Sequence, residues 1–321
     1  MQLSREDLIK SYRMMRTIRE FEDRVHFEFS SGDIPGFVHL YAGEEASAVG
    51  VCLHLTEKDK IASTHRGHGH CIAKGCDVPG MMKEIYGRSE GLCGGKGGSM
   101  HIADLSKGML GANGIVGGGS PLICGAALTA KIRGEGAVAV AFVGDGASNQ
   151  GTTLESLNLA SVWKLPAIFV VEDNGYAEST AATWAVSGSQ LKRAEGFSIP
   201  AIQVDGHDFF AVHEAAREAV ERGRADGGPT LLHVKLDRFF NHYEGDAGSY
   251  RAPNEAARAR AEKDCLARFR KRVSEAKLLD ESILDAVDDE VKSLIDKSCD
   301  DAKAAALPSE ADLLSQVYAS Y

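Results

Sequence analysis

No run of apolar residues in this chain approaches the twenty or so needed to cross a bilayer, and its first residues, MQLSREDL, are polar. Neither a membrane span nor a signal peptide is expected. Cysteine occurs seven times without one Cys-x-x-Cys pair. An odd, unpaired set of that kind argues against a zinc site or a disulfide framework, and reads as reduced core thiols in a cytosolic protein. Positive charge is in deficit: 36 Lys and Arg face 46 Asp and Glu, for a net charge of −10. No basic patch suggests a nucleic-acid partner. Internal repeats and low-complexity blocks are missing too, as is a Gly-x-Gly-x-x-Gly run after a strand, which removes the usual fingerprint of a nicotinamide-dinucleotide enzyme. What remains is a chain of 321 residues, 44% hydrophobic, long enough to bury a substantial core.

The most informative stretch runs from Ala137 to Tyr176, AVAVAFVGDGASNQGTTLESLNLASVWKLPAIFVVEDNGY. Ala137 to Val143 is apolar without alternation, as expected of a strand buried on both faces. Gly144, Asp145 and Gly146 stop it. Thr152 to Lys164 carries Leu154, Leu157, Leu159 and Val162 close to a helical face, and Ala167 to Val171 is a second apolar run ending at Glu172, Asp173 and Asn174. Strand, turn, helix and strand make one βαβ crossover of a parallel sheet.

Loops at the carboxyl ends of parallel strands converge on the crevice where open α/β sheets bind ligands. Asp145 and Asn174 each lie just past a strand end, so both can point at one spot. A carboxylate, an amide oxygen and a nearby backbone carbonyl form an all-oxygen set suited to Mg²⁺, which often completes its shell with phosphate oxygens. The glycines beside Asp145 let the backbone approach such a phosphate, and the next helix turns its N-terminal amides toward it. A Gly-Asp-Gly alone is an ordinary turn; the second polar cluster after the next strand gives it meaning.

Upstream, Ser4 and Asp7 form a capping box for a long amphipathic helix over residues 4–29, its stripe suited to core or subunit packing. SGDIPGFVHLY is a loop that delivers His39. STHRGHGH, after a short strand around Ile61, reads as a loop with three histidines and Arg66; a histidine metal site lacks a nearby carboxylate or cysteine there, so an anion site with Arg66 as donor is preferred. The glycine-dense segment from Gly87 to Gly119 also carries Met100, His101, Met109, Leu110, Ile115 and Val116, and reads as ordered loops close to a ligand or another chain. Pro121 to Arg133 is a helix. Downstream, Ala177 to Gln190 reads as a mobile loop, Ile199 to Val204 and Thr230 to Leu236 as strands, and Ala211 to Arg224 as a helix. DRFFNHYEGDAGSYR then brings His242 to the same crevice. From Pro253 helices follow, over Asn254 to Ala276 and Asp280 to Ser298. The expected architecture is one α/β domain over residues 1–321, a mostly parallel sheet with helices on both faces and a helical C-terminal extension over 253–321.

GDG followed just under thirty residues later by an Asn pair is the signature of thiamine diphosphate enzymes; here Asp173 takes the first Asn and Asn174 keeps the second. With GFVHLYAGEEA, HRGHGH, GGKGGSMH, NGIVGGGSPL, GDGASNQG, EDNGYA and the His242 loop in order, nearly the whole chain resembles the alpha subunit of the thiamine-diphosphate-dependent decarboxylating component of 2-oxo acid dehydrogenase complexes. Within that family it is most similar to the acetoin dehydrogenase branch, through EGDAGSYR and STHRGHGH. Tyr243 stands where pyruvate and branched-chain enzymes tend to carry a serine, which also removes a phosphorylation site. Asn241 replaces a usual glycine, and His65 a tyrosine common beside the arginine.

The resemblance implies a thiamine diphosphate-binding fold, with Mg²⁺ held by Asp145, Asn174 and the carbonyl of Tyr176. It places Arg66 and His242 at the diphosphate, His65 among the cofactor contacts, Gly114 and Val116 at the aminopyrimidine, and Gly146 and Ala147 along the diphosphate site. His242 would also assist the reacting carbonyl, and His39 would face the substrate. The family's cofactor-activating glutamate lies on a separate beta chain, so the resemblance implies two alpha and two beta chains and a lipoyl-bearing acyltransferase partner. The expected reaction is cleavage of acetoin to acetaldehyde and a two-carbon unit passed to the lipoyl group or an artificial acceptor. The alternatives are a pyruvate or branched-chain 2-oxo acid dehydrogenase alpha subunit and, further off, a non-catalytic assembly subunit.

Overall fold

The computed structural model describes residues 3–315. Its centre is a five-stranded, wholly parallel sheet in the order β1-β2-β3-β7-β6, built from Lys60–Ala62 (β1), Ala139–Gly144 (β2), Ala167–Asp173 (β3), Ala201–Asp205 (β6) and Thr230–Lys235 (β7). The lack of alternation in β2 and β3 has a direct structural cause. Val140, Phe142, Ile168 and Val170 pack into one hydrophobic core, while Ala139, Ala141, Val143, Ala167, Phe169 and Val171 pack into another on the opposite face. Both faces of these strands are packed, so apolar residues occupy both up to the strand ends.

The first core is roofed by α1 (Arg5–Phe29), α2 (Glu45–Cys52), α3 (His68–Lys74), α4 (Val78–Ile85), α9 (Phe209–Arg224), α11 (Cys265–Glu275) and α12 (Glu281–Ala304); the second by α5 (Gly119–Arg133), α6 (Gly151–Val162) and α8 (Gln190–Gly196). Ser4 caps α1 with Asp7 in a reciprocal box, and Leu8, Tyr12, Met15, Ile18, Phe21 and Val25 are all buried along one stripe. That stripe meets α12, whose Leu284, Val287, Val291 and Ile295 recur at helical spacing. The C-terminal helices are thereby fastened to the first helix rather than trailing from the sheet.

Two expectations from the sequence differ from the structure. The helix expected over Asn254 to Ala276 is two, α10 (Glu255–Glu262) and α11. Asp264 breaks it: its side chain accepts the Leu266 N–H as an N-cap and also pairs with the buried Arg19, a role unavailable to a mid-helix residue. The stretch Ala177 to Gln190, read as a mobile loop, holds a small hairpin of β4 (Tyr176–Ala177) and β5 (Thr180–Ala181), then one helical turn, α7 (Ala182–Ala185). Short polar and small residues hid a turn too brief to show periodicity.

The glycine-dense segment is ordered by one side chain. Glu84, at the end of α4 and fully buried, accepts the backbone N–H groups of Cys93, Gly95, Gly97 and Gly98 at 2.7–3.1 Å. Ile102 and Met109 of the same segment reach the first core. Among the described residues, no helix is long and apolar enough to cross a membrane.

Candidate active site

The loops after β2 and β3, with the segments around His39, His65, Gly114 and His242, enclose a cavity of about 400 Å³. The eleven residues that the resemblance assigns to cofactor, metal or substrate all line it: His39, His65, Arg66, Gly114, Val116, Asp145, Gly146, Ala147, Asn174, Tyr176 and His242. Glu44, Ser63, Glu172 and Arg238 line it as well.

Asp145 leaves the end of β2 with only 3% of its surface exposed, and its Oδ2 has no hydrogen-bond partner among the described residues. Burial, helped by the charge of Asp173, pushes its pKa up to about 6. An orphaned buried carboxylate oxygen on a cavity wall is a group awaiting a cation or a proton. Asn174 is oriented by its neighbours. Its Oδ1 accepts the backbone N–H of Tyr176 at 3.2 Å, and its Nδ2 donates to Glu44 Oε1 at 2.9 Å. Asp173, in contrast, is turned under the sheet toward His233 and Lys235, at 2.9 and 2.6 Å. Although burial acts against it, those two partners bring its pKa down to about 2, and it takes no part in the cavity. Gly146 is required by contact: a Cβ there would lie 2.5 Å from the Cβ of Ala177.

Beneath Asn174 lie two buried carboxyl groups. Burial and the neighbouring Glu172 push Glu44 up to about 8. Glu172 is lowered instead: against its own burial, His70 at 3.2 Å, Ser47 at 2.6 Å and Tyr41 all hydrogen-bond to it.

The histidines of STHRGHGH separate. His65 and Arg66 face the cavity, but His68 and His70 open helix α3 and point into the core. His68 bridges Glu22 and Ser99, and His70 bridges Ser63 and Glu172. The carboxylates missing from the local sequence thus come from α1 and β3, and these two histidines are packed structural groups. His65 instead joins His39 and His242, with ring centroids 4.5, 4.9 and 5.2 Å apart. Burial first, then the nearby cationic and imidazole groups, pull the pKa of His39 down to about 2 and those of His65 and His242 to about 3. All three are neutral at physiological pH.

Arg66 donates to the carbonyls of Leu40 and His242 at 2.6 and 2.8 Å, and burial beside Arg238 lowers its pKa to about 10, still charged at neutrality. His242 is braced on every side. Its backbone N–H donates to Asp246 Oδ2 at 2.8 Å, and its Nδ1 lies 3.1 Å from Arg238 Nη1. Arg238, Glu44, Asp246 and Tyr250 all sat within quoted motifs, yet nothing in their spacing marked them, because each acts through contacts with residues distant in sequence or on the far side of a turn.

Residues 13–310 match the family described as dehydrogenase E1 component. The chain is 61% identical to the alpha subunit of acetoin:2,6-dichlorophenolindophenol oxidoreductase from Cupriavidus necator, over 99% of its own length and 96% of the relative's. It is 51% identical to the subunit of the same description from Bacillus subtilis, with the same coverage. The alpha subunit of the pyruvate dehydrogenase E1 component from Rhizobium meliloti is 39% identical, over 98% of this chain and 91% of that one. The chain belongs to the dehydrogenase E1 component family.

Proposed function

Proceeding from that membership, we propose that the chain is the alpha subunit of a thiamine-diphosphate-dependent acetoin dehydrogenase of the cytoplasm. The observation that carries the cofactor reading is the unpartnered, buried Oδ2 of Asp145 on the same cavity wall as Asn174. Oxygen donors of this kind fit Mg²⁺, with Asp145, Asn174 and the Tyr176 carbonyl as its protein ligands. The cavity has the size of a cofactor site, and the close packing of Gly146 on Ala177 leaves the backbone bare where a diphosphate would lie.

Thiamine diphosphate, when bound, supplies the nucleophilic carbon and the electron sink for carbon–carbon cleavage. The chain's own residues do the rest. Asp145 and Asn174 hold the cation; Arg66 offers a fixed positive charge to the diphosphate. Gly114 and Val116 offer backbone groups to the aminopyrimidine, and Gly146 and Ala147 line the diphosphate. Three neutral imidazoles, His39, His65 and His242, offer hydrogen bonds to a substrate oxygen without adding a charge to the pocket. Acetoin is uncharged, and neutral hydrogen-bonding groups suit it. The higher identity to acetoin oxidoreductase subunits than to a pyruvate dehydrogenase subunit supports the same substrate.

Of the three glutamates that line the cavity, Glu44 is committed to Asn174 and Glu172 to Tyr41, Ser47 and His70, while Glu178 is exposed. By the resemblance to the family, the activating carboxylate comes from a beta chain, in an assembly of two alpha and two beta chains. Ile115, 74% exposed, and the half-exposed Val116 at the cavity rim suit closure by that partner. A lipoyl-bearing acyltransferase, or an artificial dye, takes the two-carbon product. The test is titration of thiamine diphosphate and Mg²⁺ into the chain co-expressed with its beta partner, followed by acetoin- and pyruvate-dependent dye reduction. Acetoin turnover supports the reading, and turnover of pyruvate or branched-chain 2-oxo acids alone replaces the substrate. Binding without any turnover indicates an assembly subunit, and no binding removes the cofactor.

A further inference from the structure

His39, His65 and His242 bring one ring nitrogen each within 4.8 Å of one another. By ligand type this is the donor set of a zinc or cobalt site. Two features of the surroundings oppose that use. Arg66 and Arg238 put positive charge beside the rings. More specifically, Arg238 Nη1 stands 3.1 Å from His242 Nδ1. A guanidinium has donors and no acceptor, so Nδ1 must carry its lone pair toward Arg238. In the neutral ring the proton then sits on Nε2. One nitrogen of His242 is occupied by arginine and the other is protonated; neither can ligate a metal.

Arg238 is itself fixed. Its Nη2 donates to the Tyr250 hydroxyl at 3.2 Å, the Tyr250 hydroxyl donates to Asp246 Oδ2 at 2.6 Å, and the same Oδ2 accepts the backbone N–H of His242. The ring of contacts closes on the residue it orients. Arg238 is buried, and its Nε has no partner among the described residues.

We propose that Arg238 is a positioning residue that holds His242 as the Nε2–H tautomer, so that the three histidines present a hydrogen-bond donor to a phosphate or carbonyl oxygen and stay closed to soft divalent metals. This deepens the reading of the cavity given above. The test uses the alpha–beta complex without thiamine diphosphate, in excess Mg²⁺ to fill the oxygen site, titrated with Co²⁺ and followed by the visible absorption of tetrahedral cobalt. The wild type and Arg238→Lys, whose ammonium has donors and no acceptor, are expected to give no such band. Arg238→Met frees the ring to change tautomer and is expected to bind Co²⁺ at least ~10-fold more tightly, the size of effect seen when a partner that orients a histidine ligand is altered. The band should vanish in Arg238→Met/His65→Gln. Cobalt binding by Arg238→Lys equal to that of Arg238→Met would show that a donor-only group does not close the site and would overturn the proposal, as would a silent Arg238→Met; Nδ1–H on His242 in the wild type would assign the effect to charge alone and likewise overturn it. Should Arg238→Met fail to fold, the histidine nitrogen-15 resonances of the wild-type complex that disappear in His242→Gln decide the matter: Nε2–H is expected, and Nδ1–H overturns it. None of these readouts uses acetoin, so failure to turn over acetoin would remove the substrate reading and leave the tautomer assignment standing.

Discussion

The side-chain oxygen of Asn174 accepts the backbone N–H of Tyr176 over 3.2 Å, and this settles which end of the amide faces which way. A backbone N–H only donates, so the oxygen is on that side and Nδ2 is turned to Glu44. The amide oxygen keeps a second lone pair, and Asn174 lines the same cavity as the orphaned Oδ2 of Asp145.

Asp145→Asn should therefore move two quantities in opposite directions. It removes a buried carboxylate whose pKa burial has pushed up to about 6. Without ligands the variant is expected to be more stable than the wild type at pH 8, by roughly 1–3 kcal/mol, the scale of a two-unit shift. Its stabilisation by Mg²⁺ with thiamine diphosphate should be lost, since the anionic ligand is gone. Chemical unfolding with and without the ligands measures both, and an Asn variant that Mg²⁺ still stabilises would refute the ligand role.

Glu84 makes a separate prediction about order near the cavity. Four backbone N–H groups converge on its buried carboxylate. Glu84→Ala strands them, at a cost of about 3 kcal/mol or more given ~1–3 kcal/mol for each buried donor left unpaired. Gln keeps one acceptor oxygen and should fall between. The local signature is faster amide exchange over residues 93–98 and tryptic cleavage after Lys96; unchanged exchange there would mean that the loop is held by something else.

Gly146 tests the close packing under the proposed diphosphate. Its φ of −64° and ψ of −43° are ordinary for alanine, so substitution there introduces no backbone strain. The obstacle is steric, the 2.5 Å approach to the Ala177 Cβ. Gly146→Ala should push the β4–β5 hairpin off the cavity and weaken thiamine diphosphate binding by roughly tenfold, as expected of a lost hydrogen bond to an anion. Gly144→Ala, with open space around it, should bind like the wild type. Restored affinity in Gly146→Ala/Ala177→Gly would identify the contact as the cause.

The central crossover and the cavity wall could be read from the sequence because their signals are local. A seven-residue apolar run without alternation, rich in Val and Ala and stopped by glycines, reads as a strand packed on both sides, and polar residues just past two such parallel strands converge on one crevice. Arg238 and Glu44 gave no such signal. Arg238 matters through a turn that returns it to His242, and Glu44 through a contact with Asn174, 130 positions away. The histidine run failed differently. Helix α3 starts at His68, inside it, and the helix carries His68 and His70 away from the cavity while His65 stays. Chain proximity there was a poor guide to spatial proximity.

The histidine cluster also has a thermodynamic consequence. His39, His65 and His242 stay neutral in the folded chain down to about pH 2–3, whereas an unfolded histidine takes up its proton near ~6.5. Between those limits the unfolded chain binds more protons, so stability rises with pH across the window and is lost as pH falls below about 6.5. Glu44 and Asp145 act in the reverse sense, because their raised pKa values leave the folded chain holding protons that the unfolded one has released. Total stability therefore mixes both signs, and the useful quantity is a difference. His65→Gln removes one of the three titrating rings and leaves the carboxyl terms in both proteins. The slope of unfolding free energy against pH between 4 and 6 should be shallower in the variant by about one proton, or ~1.4 kcal/mol per pH unit at most. Parallel slopes for the two proteins would mean that His65 is protonated in the folded state, and that the cavity wall is charged where a neutral substrate calls for it to be neutral.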